Sequence, residues 1–197
     1  MTKNLSNKVL IVVDMQKDFV DPDGALSIPH DTSKLINNIT RFIGNFPGRI
    51  FYTLDTHTQD SCEFNNFPPH CISGTPGWAL TEKIAKAISR REAYAQEPIK
   101  RLPKASYSNN QIIEYLADMH SHSEFFIVGV CTHVCVHDIV ANLVNEFKNI
   151  HNTVPRITIP RDMVDDFDLE MQEFALKRMK NLYGIDVLTD IPEIKAA

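Results

Sequence analysis

Two residue periods meet in one short stretch of this chain, and together they leave little choice of fold. Glu124-Phe-Phe-Ile-Val128 is an apolar run rich in β-branched and aromatic residues, which reads as a buried strand. Beyond it Val136, Ile139, Val140, Leu143, Val144 and Phe147 recur at helical spacing, so a helix begins near Cys135. A cysteine at such a strand-to-helix turn faces the unpaired N–H groups of the helix start. Their positive potential lowers a thiol pKa and makes the sulfur a nucleophile. A buried structural cysteine fits the same turn equally well.

The remaining elements repeat the alternation. Lys8-Val-Leu-Ile-Val-Val-Asp14 is an unbroken apolar run ending in a carboxylate, as expected for a central parallel strand buried on both faces. Residues 35–46 carry Leu35, Ile36, Ile39, Phe42, Ile43 and Phe46 at helical spacing and stop at Pro47-Gly48. Residues 49–54 form a second strand, again followed by a carboxylate, Asp55. A modest helix is predicted over 78–88, a short strand over 98–102, and a short helix over 111–119. A strand over 153–159, a helix over 169–182 capped by Gly184, and an edge strand over 185–188 complete the chain. Six strands interleaved with helices predict a three-layer α/β/α domain with a mainly parallel sheet of Rossmann-like order and right-handed crossovers. In such sheets the active crevice lies at the carboxyl ends of the strands, where Asp14 and Asp55 fall. His120 and His122 read as solvent-facing loop residues, and Asp162, at a strand end, as structural.

With 197 residues, 43% of them hydrophobic, the chain is expected to form one domain over residues 1–197. A net charge of -5 without basic runs speaks against a nucleic-acid partner. The sequence has neither a membrane-length apolar run nor a signal-peptide pattern, so no membrane partner is expected. Four cysteines in a chain this long suggest no disulfide scaffold. A reactive thiol suits a reducing compartment, and a cytoplasmic location is expected.

A second group of chemically capable residues lies on one loop: Asp55-Thr-His57, then Glu63, then Phe67-Pro-Pro-His70. Carboxylates and imidazoles in this mixture suit a divalent metal, although surface loops also collect them by chance. Lys104 and its neighbours Tyr107-Ser108 lie shortly before the cysteine strand; by itself a loop lysine is ordinarily a solvated charge.

Four motifs tie these pieces together. Gly129-Val-Cys-Thr-His-Val-Cys-Val136 resembles the nucleophile motif G-V-x-T-D-x-C-V of the isochorismatase-like cysteine hydrolases, agreeing at seven of eight positions. The exception is His133, where the family usually carries an acid. Val13-Asp-Met-Gln-Lys-Asp-Phe19 resembles the family's D-x-Q-x-D-F, and Lys104-Ala-Ser-Tyr-Ser108 its K-x-x-Y-S. Asp55 and His57, Pro68-Pro-His70 and Gly74-Thr-Pro-Gly77 resemble the metal loop of its nicotinamidase branch.

The resemblance implies Cys135 as nucleophile, Asp14 as its base and Lys104 as the partner of that carboxylate. It further implies an oxyanion hole from the backbone N–H groups of Cys131 and Cys135, with a cis peptide between Val130 and Cys131. One divalent ion, zinc before iron or manganese, would sit on Asp55, His57, Glu63 and His70, with Glu63 the least secure ligand. Phe19, Phe67 and Tyr107 would line the substrate site, Asp18 would hold a local turn, and Cys62 and Cys71 would be packing residues. The implied reaction is hydrolysis of a small-molecule amide, nicotinamide giving nicotinic acid and ammonia, with pyrazinamide as a second substrate. Self-association into a homo-oligomer stays open. A carbamoyl amidase of the same family would keep Asp14, Lys104 and Cys135 but generally lack the metal loop. A thiol-redox protein using Cys131 and Cys135 would leave Asp14 and Lys104 without a task, and a metal-binding module would leave Cys135 idle.

Overall fold

The computed structural model describes residues 7–94, 98–116 and 123–189. Six strands, β1 (Lys8–Val13), β2 (Arg49–Asp55), β3 (Lys100–Lys104), β4 (Glu124–Gly129), β5 (Arg156–Pro160) and β6 (Asp186–Leu188), form one sheet in the order β3-β2-β1-β4-β5-β6. Every neighbouring pair is parallel. The helices are α1 (Lys17–Val20), α2 (Ser33–Asn45), α3 (Glu82–Glu92), α4 (Asn110–Leu116), α5 (His137–His151) and α6 (Leu169–Tyr183).

The pleat of the central strands sends alternate side chains to two cores. Leu10 and Val12 of β1, with Phe126 and Val128 of β4, face Leu35, Ile39, Phe42 and Ile43 of α2 and Ile84 and Ile88 of α3. Val9, Ile11, Phe125 and Ile127 point the other way, to Ile139, Leu143 and Phe147 of α5 and Leu176 and Met179 of α6. Burial on both faces is why these strands are continuous apolar runs. The predicted α/β/α architecture is the one observed. No helix among the described residues is long and apolar enough to cross a membrane.

Several boundaries differ from expectation for local reasons. β3 runs to Lys104 instead of ending at residue 102, so Pro103 lies inside a strand. That is tolerated because β3 is a sheet edge, where a missing N–H breaks no ladder. α3 begins at Glu82 instead of residue 78. The preceding backbone is already engaged, with Lys17 N–H donating to Ala79 O and Thr81 N–H to Met15 O. β5 starts at Arg156, after α5 has closed on left-handed Asn152 and Pro155 has interrupted hydrogen bonding. The described part of the predicted 111–119 helix ends at Leu116. His120 and His122 lie outside the described residues. Asp162 has the structural contact expected of it, accepting from Asn38 Nδ2 at 2.8 Å.

Candidate active site

Because β3, β2, β1 and β4 are adjacent and parallel, their carboxyl ends bring Lys104, Asp55, Asp14 and the Cys131–Cys135 loop together. Two backbone features let the ends approach so closely. Gly129, opposite Val13 in the register, has φ +115, and a Cβ there would sit 2.0 Å from Val13 O. Only glycine fits that position. Asp14 adopts φ +47, a left-handed conformation that Asp tolerates better than most residues and that is often found at functional sites.

Lys104 Nζ lies 2.7 Å from Asp14 Oδ2 and 3.4 Å from both Cys135 Sγ and Asp55 Oδ1. Thr53 Oγ1 donates to Asp14 Oδ1 at 2.7 Å and accepts the Asp14 N–H at 3.2 Å. Asp14 is wholly buried, and that desolvation raises its pKa despite the opposing pull of Lys104. Burial also pushes the Cys135 thiol well above its usual value, with Lys104 only partly offsetting it. The sequence expectation of a lowered thiol pKa is therefore corrected: at rest the sulfur keeps its proton. Lys104 would lose charge through burial, but the carboxylates of Asp14 and Asp55 outweigh that cost and hold it protonated. The resulting arrangement is a protonated thiol beside a carboxylate of raised basicity, both held by one ammonium.

Asp55, His57 and His70, all buried, form the metal-competent cluster of the described residues, with one ligand atom of each lying within 4.8 Å of the others. His57 Nε2 and His70 Nε2 converge on Asp55 Oδ2 at 2.8 and 3.3 Å. The opposite ring nitrogens are occupied: His70 Nδ1 donates to Pro68 O at 2.7 Å, and His57 Nδ1 meets Ser61 Oγ at 3.1 Å. Such outer contacts fix which nitrogen presents its lone pair inward. Burial alone would raise the Asp55 carboxyl, but the His70 hydrogen bond and Lys104 hold it at about 2, ready as an anionic donor. Two imidazole nitrogens and a carboxylate oxygen fit a divalent cation with coordination positions left open. Of the four expected ligands, Glu63 stands apart from this triad. It lines the adjoining cleft, where burial and the Glu63 carboxylate push the Tyr107 hydroxyl up to about 12.

That cleft is narrow, with about 30 Å³ of water-accessible space, and reaches both centres, its lining shared by Asp55 and His70 with Cys131 and Cys135. All three expected substrate-contacting residues, Phe19, Phe67 and Tyr107, line it. Phe19 and Phe67 also stand 5.4 and 6.2 Å from the His70 ring, centroid to centroid. Sequence reasoning missed Leu26, Val134 and Phe167 in the same lining; Leu26 and Phe167 are isolated apolar residues on separate loops, and Val134 fills an unspecified position of the cysteine motif. Gln16 was visible inside its motif, yet its task was not. Its side-chain NH₂ donates to Asp55 O and Trp78 O at 2.8 and 2.9 Å, and its oxygen accepts the Asp55 N–H at 2.7 Å, clamping the metal-loop strand end.

Asp18 holds more than one turn. Its carboxylate accepts from Cys71 N–H at 2.7 Å and Ala25 N–H at 3.1 Å, passing over Gly77, where a Cβ would lie 2.1 Å from it. Cys71 is buried as expected, but Cys62 is exposed and packs no core. On the far side the Val130–Cys131 peptide is cis, as the resemblance implied. Cys135 lies in a wide π turn, Thr132–Val136, that leads into α5. Thr132 N–H donates to Asp165 O at 3.0 Å. His133 is bound twice to the fully buried Asp166, through its backbone N–H and through Nδ1, each at 2.7 Å. The imidazole thus takes a carboxylate as its partner at a position where an acid was expected.

Comparison with known proteins gives the same picture. The Isochorismatase domain matches residues 8–190. An isochorismatase family protein, PncA of Bacillus subtilis, is 29% identical over 91% of this chain and 98% of its own length. The crystal structure of a nicotinamidase/pyrazinamidase PncA from Bacillus subtilis superposes with TM-score 0.77 at 25% identity, covering 91% of this chain and 98% of that one. A zinc complex of a Pyrococcus horikoshii pyrazinamidase superposes with TM-score 0.74 at 26% identity, over 93% and 99% of the two chains. With fold, motifs and nearly the whole length in agreement, this chain belongs to the isochorismatase family.

Proposed function

We propose that the protein is a nicotinamidase, hydrolysing nicotinamide to nicotinic acid and ammonia in NAD salvage and accepting pyrazinamide as well. The observation that carries this reading is one small aromatic-lined cleft that joins the Asp14–Lys104–Cys135 cluster to the Asp55–His57–His70 triad. A carbamoyl amidase has no use for the second half. Nicotinamidases and pyrazinamidases are also what the chain resembles over nine-tenths of its length.

In this mechanism Asp14 takes the Cys135 proton as the sulfur attacks the carboxamide carbon. Asp14's raised pKa offsets part of the gap that the raised Cys135 thiol opens for the proton transfer. Lys104 keeps the carboxylate in place and balances the charge that moves between sulfur and oxygen. The backbone N–H groups of Cys131 and Cys135 stabilise the tetrahedral oxyanion, where one donor is worth about 3 kcal/mol of barrier. Asp14 returns the proton to the nitrogen, the C–N bond breaks, and ammonia leaves a thioester. Water, deprotonated by Asp14, then cleaves that ester and restores the thiol. A divalent ion on Asp55, His57 and His70, zinc by donor set before iron or manganese, would supply a Lewis-acid site for the lone pair of the pyridine nitrogen. The protein's need for reduced cysteine suits the cytoplasm.

Ammonia release from nicotinamide and from benzamide by the metal-loaded protein tests this. Benzamide lacks only the ring lone pair, and a site built for a polar partner rejects an analogue without it. kcat/KM for benzamide is expected to be about 100-fold lower, equivalent to about 3 kcal/mol. Equal turnover of the two amides would overturn the nicotinamide assignment.

A further inference from the structure

A second cavity, of about 550 Å³, lies between α2 and α3 and shares no residue with the catalytic cleft. In a chain of net charge -5 its lining is distinctly cationic, with Lys83, Lys86, Arg90 and Arg91 along one wall. Two of these are anchored by neutral oxygens, Lys83 Nζ on Asn37 Oδ1 at 2.8 Å and Arg91 on Phe46 O at 2.9 Å. Those contacts orient the cations without cancelling their charge. Lys86 pairs with Glu82, and Arg90 has no hydrogen bond or ion pair among the described residues.

Gly44, near the end of α2, is part of the lining. A Cβ at Gly44 would meet nothing within 4 Å. At the rim stands Tyr94, 85% exposed, an aromatic ring with an open face. The volume falls within the range of small-molecule sites, and guanidinium forks beside ammonium groups match phosphate oxygens in charge and geometry.

We propose that the groove between α2 and α3 binds a diphosphate-bearing small molecule, with Lys83 and Arg90 holding the phosphates and the Tyr94 ring available to an attached base. This site is independent of the amidase reading, since none of its residues reaches the catalytic cleft.

Calorimetric titration of the full-length protein with inorganic pyrophosphate, ADP and adenosine at two salt concentrations tests it. Saturable one-to-one binding of pyrophosphate or ADP is expected, weakening as salt rises, with no binding of adenosine. Lys83→Gln and Arg90→Gln should each weaken binding about tenfold, the scale of one charge-assisted contact. Gly44→Leu, which keeps every charge and favours the helix, should weaken binding by placing a bulky side chain on the groove lining while circular dichroism stays unchanged. ADP binding more tightly than pyrophosphate, with the gain lost in Tyr94→Ala, would identify a nucleotide; equal binding would assign the groove to the inorganic diphosphate. No saturable binding by the native protein, or binding undiminished in Gly44→Leu, would overturn the proposal.

Discussion

Lys104 touches Asp14, Cys135 and Asp55, so loss of its ammonium removes a shared counter-charge from two carboxylates and a sulfur. Lys104→Ala and Asp14→Asn should each lower kcat by at least about 100-fold. The double variant should be little worse than the worse single one, because groups acting as a unit are not additive. Additive losses in steady-state kinetics would show that the two work separately. Cys135→Ala should abolish turnover, whereas Cys131→Ala keeps the backbone N–H and should retain much of it; equal losses in folded, reduced protein would contradict this division. Thr53 provides a pH test. Its hydroxyl donates to Asp14 and favours the ionised form, so Thr53→Val should raise the Asp14 pKa further. As pH falls through that pKa, Asp14 gains a proton and can no longer accept one from Cys135. The acid limb of kcat/KM should therefore move to higher pH in Thr53→Val, and an unmoved limb would separate Asp14 from that titration. His133→Asp sets a second carboxylate against buried Asp166 and should cost about 1–3 kcal/mol by denaturant titration. Asp166→Asn in the same chain should restore part of the loss.

At the scale of elements, the metal loop is held by contacts distant in sequence. Gln16, just before α1, fixes the end of β2, and Asp18 within α1 reaches Cys71. His57→Ala and His70→Ala should each lower bound metal in elemental analysis and raise KM more than they lower kcat for residual turnover. Metal at native stoichiometry in both variants would remove these histidines from the ligand set. Gly77→Ala would drive a methyl into the Asp18 carboxylate, so it should perturb the same loop without touching a ligand. The motif glycine and the motif aspartate therefore answer to each other.

For the whole molecule, a single sheet separates the two cores, and each central strand contributes to both. We propose that the chain unfolds as one unit. Fluorescence of Trp78, the sole tryptophan, and far-ultraviolet circular dichroism should then give coincident denaturant transitions. An earlier fluorescence transition would mark the loop region as a separate unit.

The sequence by itself determined the layer architecture, because apolar runs and helical spacing are local patterns that burial on two faces imposes on each segment. Its motifs also pointed to Asp14, Asp55, His57, His70, Lys104 and Cys135, and the structure brings all six to one end of the sheet. Other features were decided only by tertiary structure. β3 reaches Lys104 through Pro103 because it became an edge, and strand order is a property of pairing, not of any one segment. Leu26, Val134 and Phe167 became cleft walls because two loops and the π turn converge on one cavity. The Cys135 thiol is held protonated, against the reading from its turn, because desolvation depends on everything packed around a group. A helix start contributes a local field; complete burial is supplied by the whole fold.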